Sequence, residues 1–264
     1  MTFLQQLLVA LVQGITEFLP ISSSGHLILI PKLTPLPDQG PLIDVAVHVG
    51  SLLAIIIYFF RDVKGLAQGG FAAIGIGTEP QQKRLFWWVV IGTVPAIAFG
   101  IFLKLGGYWE SFRITDLVAA NLIVYGLLLG IADHFGKQEK SYEELTMRDA
   151  FIVGIAQALA LIPGTSRSGA TMTAARALGY KRVEAARFSF LLGIPAIAGA
   201  GVLAALDLAD ASSQLQFDAL VTGGLTFLAA FATMAFLMNF LKKASMLVFV
   251  IYRVALGCAL LAFL

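Results

Sequence analysis

Two stretches of this sequence hold the groups that could do chemistry. The first carries Gln13, Thr16, Glu17, Ser22, Ser23, Ser24 and His26; the second reads Pro163-Gly164-Thr165-Ser166-Arg167-Ser168-Gly169-Ala170-Thr171. Gln13 and Glu17 are four apart, so on a helix they share one face. A carboxylate, a serine run and a histidine three residues after Ser23 suit nucleophilic and acid–base work near neutral pH. In the second stretch Arg167 offers a planar, permanently charged fork for phosphate oxygens. Ser166, Ser168 and Thr171 add hydroxyl donors, Gly164 lets backbone approach closely, and the amides opening the following helix form an anion site. Each group also has a plain structural use. Glu17 could sit at an interface, Ser22 and Ser24 could cap a helix, His26 could be a satisfied buried group, and Arg167 could serve as counter-ion to Glu17. His48 fits packing or a supporting hydrogen bond, and His134 an interfacial place. Together the stretches supply a nucleophile, a base or metal ligand, an acid and an oxyanion cradle, the parts of a phosphoryl-transfer centre.

The elements that must position these groups follow from composition. Of 264 residues, 58% are hydrophobic and only 13% charged, with mean hydropathy +0.86. A soluble domain carries about 25% charge, so the chain reads as an integral membrane protein. A formal charge of +2 with no basic tract excludes a nucleic-acid binder. The single Cys258 forms no internal disulfide. No basic segment precedes the first apolar stretch, so a cleavable signal peptide is not expected.

Six segments are long and apolar enough to span a bilayer: 42–60, 85–105, 117–135, 185–206, 217–241 and 246–264. Two more, 3–30 and 150–178, are broken by the polar stretches above, with the second half-helices resuming at Leu27 and Ala170. Broken backbone at membrane depth is tolerated where protein buries it, so both read as re-entrant hairpins. Basic residues cluster in loops 61–84 and 136–149, at Lys181, Arg182 and Arg187, and at Lys242 and Lys243. The other side holds only Lys32, Lys104 and Arg113, and loop 207–216 has Asp207 and Asp210 but no base. By the positive-inside rule the basic side is cytoplasmic, both termini face outside, and the hairpins dip in from opposite sides.

A shift of 144 residues overlays Gln13 on Gln157, Ser22 on Ser166, Ser24 on Ser168 and Gly25 on Gly169. Near a shift of 140, Asp44 meets Glu184. One hairpin and three spans (1–135) followed by another such unit (150–264) make an inverted-topology repeat within one membrane domain. Such repeats place broken helices head to head near the midplane, where a site forms. A site there would take a lipid phosphate or diphosphate.

The run from Gln13 to His26 resembles the first signature of the bacitracin-resistance type undecaprenyl-diphosphate phosphatases: Glu or Gln, three residues, Glu, then Pro-x-Ser-Ser-x-Gly-His. Pro163 to Thr171 resembles their second, Pro-Gly-x-Ser-Arg-Ser-x-x-Thr, and Phe188-Ser189-Phe190-Leu191-Leu192 also fits. Gln13 stands where the family admits either acid or amide. The resemblance implies a bacterial inner-membrane enzyme that removes the terminal phosphate of undecaprenyl diphosphate and returns the lipid carrier to cell-wall synthesis. It also implies a divalent cation, Mg²⁺ or Ca²⁺, and a site open to the periplasm. Carried over by position, Ser23 is the nucleophile, with Ser22 or an activated water as alternatives. His26 is acid or base, and Glu17 with Gln13 orients the nucleophile or holds the metal. Arg167, Ser166, Ser168, Thr171, Gly164 and Ser22 grip the diphosphate. A homodimer is compatible with the sequence.

A rival class is a lipid-phosphate flippase or transporter, since inverted repeats with broken helices are a common carrier plan. A carrier has no use for Glu17, Ser23 and His26 as a set. The acid-phosphatase-like lipid phosphatases need a histidine downstream of an arginine block. Here the last histidine, His134, precedes Arg167.

Overall fold

The structure, a computed structural model, describes residues 1–77, 80–108, 110–112, 114–209 and 211–263, with the side chains of 110, 200 and 203–209 left aside. Arg113, Asp210 and residue 264 lie outside the described residues, as does the side chain of Asp207. Among the described residues the chain is all-α. In order come α1 (Phe3–Thr16), α2 (Ser23–Leu33), α3 (Pro41–Tyr58), α4 (Phe60–Ala73), α5 (Pro80–Leu105), α6 (Thr115–Phe135), α7 (Met147–Leu159), α8 (Arg167–Ala177), α9 (Arg182–Ala209), α10 (Ser213–Phe240) and α11 (Leu247–Phe263). Hydroxyl caps start several of them: Thr2 accepts from the Gln5 amide, Thr146 from Asp149 and Ser212 from Leu215. Pro41 opens α3, where its missing N–H costs nothing.

Four helices, α3, α5, α6 and α10, are long and apolar enough to cross a membrane. α9 reaches 28 residues, and α11 is apolar with 17. Ile97, Phe102, Leu220, Leu228 and Phe236 point outward and exposed, which suits hydrocarbon rather than water. The chain is a multi-pass membrane protein.

Two features differ from the sequence expectation. Loop 61–84 is largely helical, because α4 follows α3 directly and folds back on α5. Gly69 makes this possible, since a Cβ there would strike the Gln82 carbonyl. The second half-helices begin at Ser23 and Arg167 rather than at Leu27 and Ala170. Apolar periodicity marks only where a helix becomes greasy, whereas the caps at Ser22 and Ser166 start it a turn earlier.

Helices pair by close backbone contact. α3 packs on α10, with Gly50 against the Gly223 carbonyl, and α7 packs on α5, with Gly154 against Gly92; small residues allow such approach. α1 lies on α10, α6 on α11, and α9 on α3.

The basic segments converge at one end of the bundle. Arg187 bonds Asp62 at 2.5 and 3.1 Å and stacks over Tyr142 at 4.4 Å. Burial and nearby Asp62 push the Tyr142 hydroxyl well above its ordinary pKa, so it stays protonated. Asp133 gathers Arg176 at 3.0 Å, Arg182 at 2.7 Å and the Met246 amide at 3.0 Å. At the other end the Met1 ammonium meets Asp218 at 2.6 Å, Gln5 donates to the Pro37 carbonyl at 3.0 Å, and Lys32 meets Thr115. The α7–α8 hairpin is rooted at the basic end, where Tyr180 bonds Asp149 at 2.6 Å. The α1–α2 hairpin is rooted at the opposite end.

Candidate active site

The two hairpins meet turn to turn inside the bundle. Each turn closes on the same device: a serine with positive φ (Ser22 at 76°, Ser166 at 73°) that caps the next helix. Ser22 Oγ accepts from the Gly25 amide at 3.3 Å and Ser166 Oγ from Gly169 at 3.1 Å. Left-handed backbone is uncommon for serine and marks a position held by its surroundings. The residue after each cap begins the helix, and these two residues are Ser23 and Arg167.

Glu17 lies between them. Ser23 Oγ donates to Glu17 Oε2 at 2.6 Å, and Gln13 Nε2 donates to the same oxygen at 3.1 Å. The guanidinium of Arg167 donates to Glu17 Oε1 at 2.8 Å and to the Ser189 carbonyl at 3.2 Å. His48 Nε2 stands 3.8 Å from Glu17 Oε2. Glu17 is 6% exposed, so its charge is held by these contacts rather than by water, while Arg167 (16%) keeps an accessible face. Gly193 makes room for Arg167, for a Cβ there would overlap the guanidinium. A serine hydroxyl on a carboxylate, with a fixed cation on the other carboxylate oxygen, can lose its proton and deliver an oxygen nucleophile beside an anion-binding fork. The free amides opening α2 and α8 add donors.

The remaining expected residues are nearby but otherwise engaged. Ser168 Oγ donates to the Leu19 carbonyl at 3.2 Å, tying the turns together. Thr171 Oγ1 is within 2.6 Å of Ser189 Oγ and donates to the Arg167 carbonyl at 2.7 Å. Ser22, Ser166, Ser168 and Thr171 are all buried, with their hydroxyls bonded within and between the turns. Gly164, with φ 86°, is pressed against the Val118 backbone, and its carbonyl accepts from Arg253 at 3.1 Å. His26 bonds Ser22 and Tyr252 rather than Glu17. Its Nδ1 lies 2.7 Å from the Ser22 carbonyl, which can only accept, so Nδ1 carries the proton. In the neutral ring Nε2 then accepts from the Tyr252 hydroxyl at 2.6 Å.

Sequence reasoning left Tyr252, Ser189, Asn121 and Arg253 without a role. Arg253 had a signal, since an ionisable residue within such a segment is a functional candidate by default. Ser189 gave none beyond its place in the Phe188-Ser189-Phe190 run.

For a metal, the donor set is informative. Gln13 Oε1 is buried beside Glu17 with no partner. With the Glu17 carboxylate and Ser23 hydroxyl it forms an all-oxygen set that fits a hard divalent cation. Among the described residues no cluster of three or more His, Cys, Asp or Glu occurs, so further ligands would come from phosphate oxygens and water.

Residues 6–259 match the family described as Bacitracin resistance protein BacA. The chain is 66% identical to the undecaprenyl-diphosphatase of Erythrobacter litoralis (strain HTCC2594), over the full length of both. It is 48% identical to the undecaprenyl-diphosphatase of Jannaschia sp. (strain CCS1), over 96% of each chain. Identity is also 48% to that of Ruegeria sp. (strain TM1040), over 99% of this chain and 98% of the relative. The chain belongs to the BacA family of bacitracin resistance proteins.

Proposed function

We propose that this protein is an undecaprenyl-diphosphatase that hydrolyses the terminal phosphate of undecaprenyl diphosphate to give undecaprenyl phosphate and inorganic phosphate. The observation that carries the mechanism is the Ser23–Glu17–Arg167 chain, at 2.6 and 2.8 Å. Ser23 Oγ attacks the terminal phosphorus while Glu17 takes its proton. The bond from that phosphorus to the bridging oxygen breaks, and undecaprenyl phosphate leaves with the electron pair. His26 relays the Ser23 proton from Glu17 to the departing phosphate oxygen; the freed Glu17 then takes a proton from water, which attacks the phosphoserine, and returns it to the Ser23 oxygen as phosphate is released. Arg167 turns from Glu17 toward the phosphoryl oxygens as negative charge builds there, helped by the amides opening α2 and α8. His26 Nε2, which accepts from Tyr252 in the resting site, is the ring position that takes up the relayed proton. Glu17 and Gln13 would hold a divalent cation, Mg²⁺ or Ca²⁺, and the ion would neutralise charge on the diphosphate.

The same reading sets the architecture in the bilayer. Six spans (α3, α5, α6, α9, α10 and α11) enclose two re-entrant hairpins, and residues 1–135 and 150–264 form an inverted repeat. Supporting this, the turns share their serine device, and α1 packs on α10 as α7 packs on α5. The end rich in Lys and Arg faces the cytoplasm of a bacterial inner membrane, with both termini and the site's opening on the periplasmic side. The flippase reading finds no support in the relatives' names.

The test is phosphate release from undecaprenyl diphosphate by purified protein in detergent, with the metal added or chelated. Ser23→Ala and Arg167→Ala are each expected to lose at least about 10²-fold in kcat, the typical loss for one transition-state donor. Full activity in both would overturn the site, and a wild type that moves lipid in liposomes without hydrolysis would overturn the enzyme.

A further inference from the structure

Arg253 is the most completely buried charge near the site, with 0% exposure. Among the described residues it is not paired with a carboxylate. Its five hydrogen bonds all go to backbone carbonyls: Nε to Leu122 at 3.2 Å, Nη1 to Pro20 at 3.0 Å, and Nη2 to Asn121, Gly164 and Thr165 at 3.3, 3.1 and 2.9 Å. Pro20 belongs to the first turn, Gly164 and Thr165 to the second, and Asn121 and Leu122 to α6. One side chain therefore grips both turns and fastens them to a third helix.

The surroundings are shaped to admit it. Gly126 on α6 faces Arg253, where a Cβ would come within 3.1 Å of the arginine's own Cβ, and a Cβ on Gly169 would come within 2.6 Å of Nη1. Asn121 repeats the clamp from α6, donating to the Pro163 carbonyl at 2.9 Å. A guanidinium is the side chain that can do this, because its planar fork reaches several acceptors at once. A lysine ammonium in the same place has three donors and no fork.

We infer that Arg253 is a positioning residue for the reaction proposed above, fixing the separation of the two turns and hence the alignment of Ser23 with Arg167. Neither of those groups touches Arg253, so its effect is transmitted through the Pro20 and Gly164–Thr165 carbonyls. Ser23 sits three residues after Pro20, and Arg167 two after Thr165. A shift of the turns by about 1 Å is enough to cost about 10²-fold in rate. The inference rests on the phosphatase reading, and the experiment separates the two.

Arg176 provides the control. It too is fully buried, and it bonds Asp133 together with carbonyls of the Asp133–Tyr180 region, at the basic end away from both turns. Arg253→Lys, Arg253→Ala and Arg176→Lys are purified in detergent, and thermal melting and kcat per folded molecule on undecaprenyl diphosphate are measured beside wild type. Arg253→Lys is expected to lose about 10²-fold in kcat with a smaller change in KM, whereas Arg176→Lys melts earlier yet keeps kcat within about threefold. Added guanidinium is expected to restore at least tenfold of the lost kcat to Arg253→Ala, which a general loss of folding would not permit. A folded Arg253→Lys with kcat within threefold of wild type overturns the inference, as does an equal loss in Arg176→Lys or an Arg253→Ala unmoved by guanidinium. Inactive wild type would instead overturn the phosphatase reading beneath it.

Discussion

The two turns are alike in backbone and opposite in chemistry. Each bends through a left-handed serine, each serine caps a helix on a glycine amide three residues on, and each passes a carbonyl to Arg253. The same 144-residue shift that overlays the caps sets Ser23 on Arg167. One frame thus presents a hydroxyl from one side and a guanidinium from the other, both converging on Glu17. Glu17 itself falls opposite Leu161 in the overlay, so the carboxylate belongs to one turn alone. The comparison teaches that a shared backbone frame builds the place, while three side chains that differ between the turns build the contact on which the proposed chemistry rests.

The sharpest way to break it is at Glu17. Glu17→Gln removes the proton acceptor of Ser23 and leaves Arg167 without its counter-charge. We expect a loss of about 10³-fold or more in kcat, in the upper part of the range for a general base, read as phosphate release. A loss below tenfold would show that the asymmetric carboxylate is dispensable. The next test sets frame against chemistry within one serine run. Glycine accepts positive φ freely and costs only a few tenths of a kcal/mol as a cap. Ser22→Gly and Ser166→Gly should therefore keep activity within about threefold and melting within about 4 °C, while Ser23→Gly loses activity outright. A 100-fold loss in either cap variant would assign its hydroxyl to phosphate instead. The smallest effect is expected at Tyr252→Phe, which frees His26 Nε2 but leaves the Nδ1 contact to Ser22 intact. About three- to tenfold in kcat, roughly one hydrogen bond's worth, should appear with unchanged melting. An unchanged kcat would make Tyr252 a packing residue.

Much of this was legible in the sequence. The two polar stretches, their breaks and the Glu17–Arg167 contact could be anticipated, because ionisable residues in apolar surroundings have few ways to be satisfied. The helix starts were not, since Ser23 to His26 and Arg167 to Gly169 look like loop until a cap makes them a first turn. α4 was hidden because Gly65, Gly69 and Gly70 weaken its helical signal, although the same glycines let it lie on α5. The internal partners of the Ser166, Ser168 and Thr171 hydroxyls were not legible either, because they lie on other segments or within one helical turn and only packing brings them together. Arg253 needed three-dimensional knowledge of a different kind. Its partners are main-chain carbonyls from three distant segments, and no pattern of side chains announces them.

Arg253 also bears on how the chain is made. On the proposed six-span topology α11 crosses the bilayer, where a permanent charge near mid-helix costs about 2.5–3.5 kcal/mol on insertion. α11 has no internal carboxylate to offset it. The acceptors that make the charge tolerable lie on both hairpins and on α6, and all of these are synthesised before α11. On that reading the charge of α11 meets a set of carbonyls that earlier segments of the chain supply.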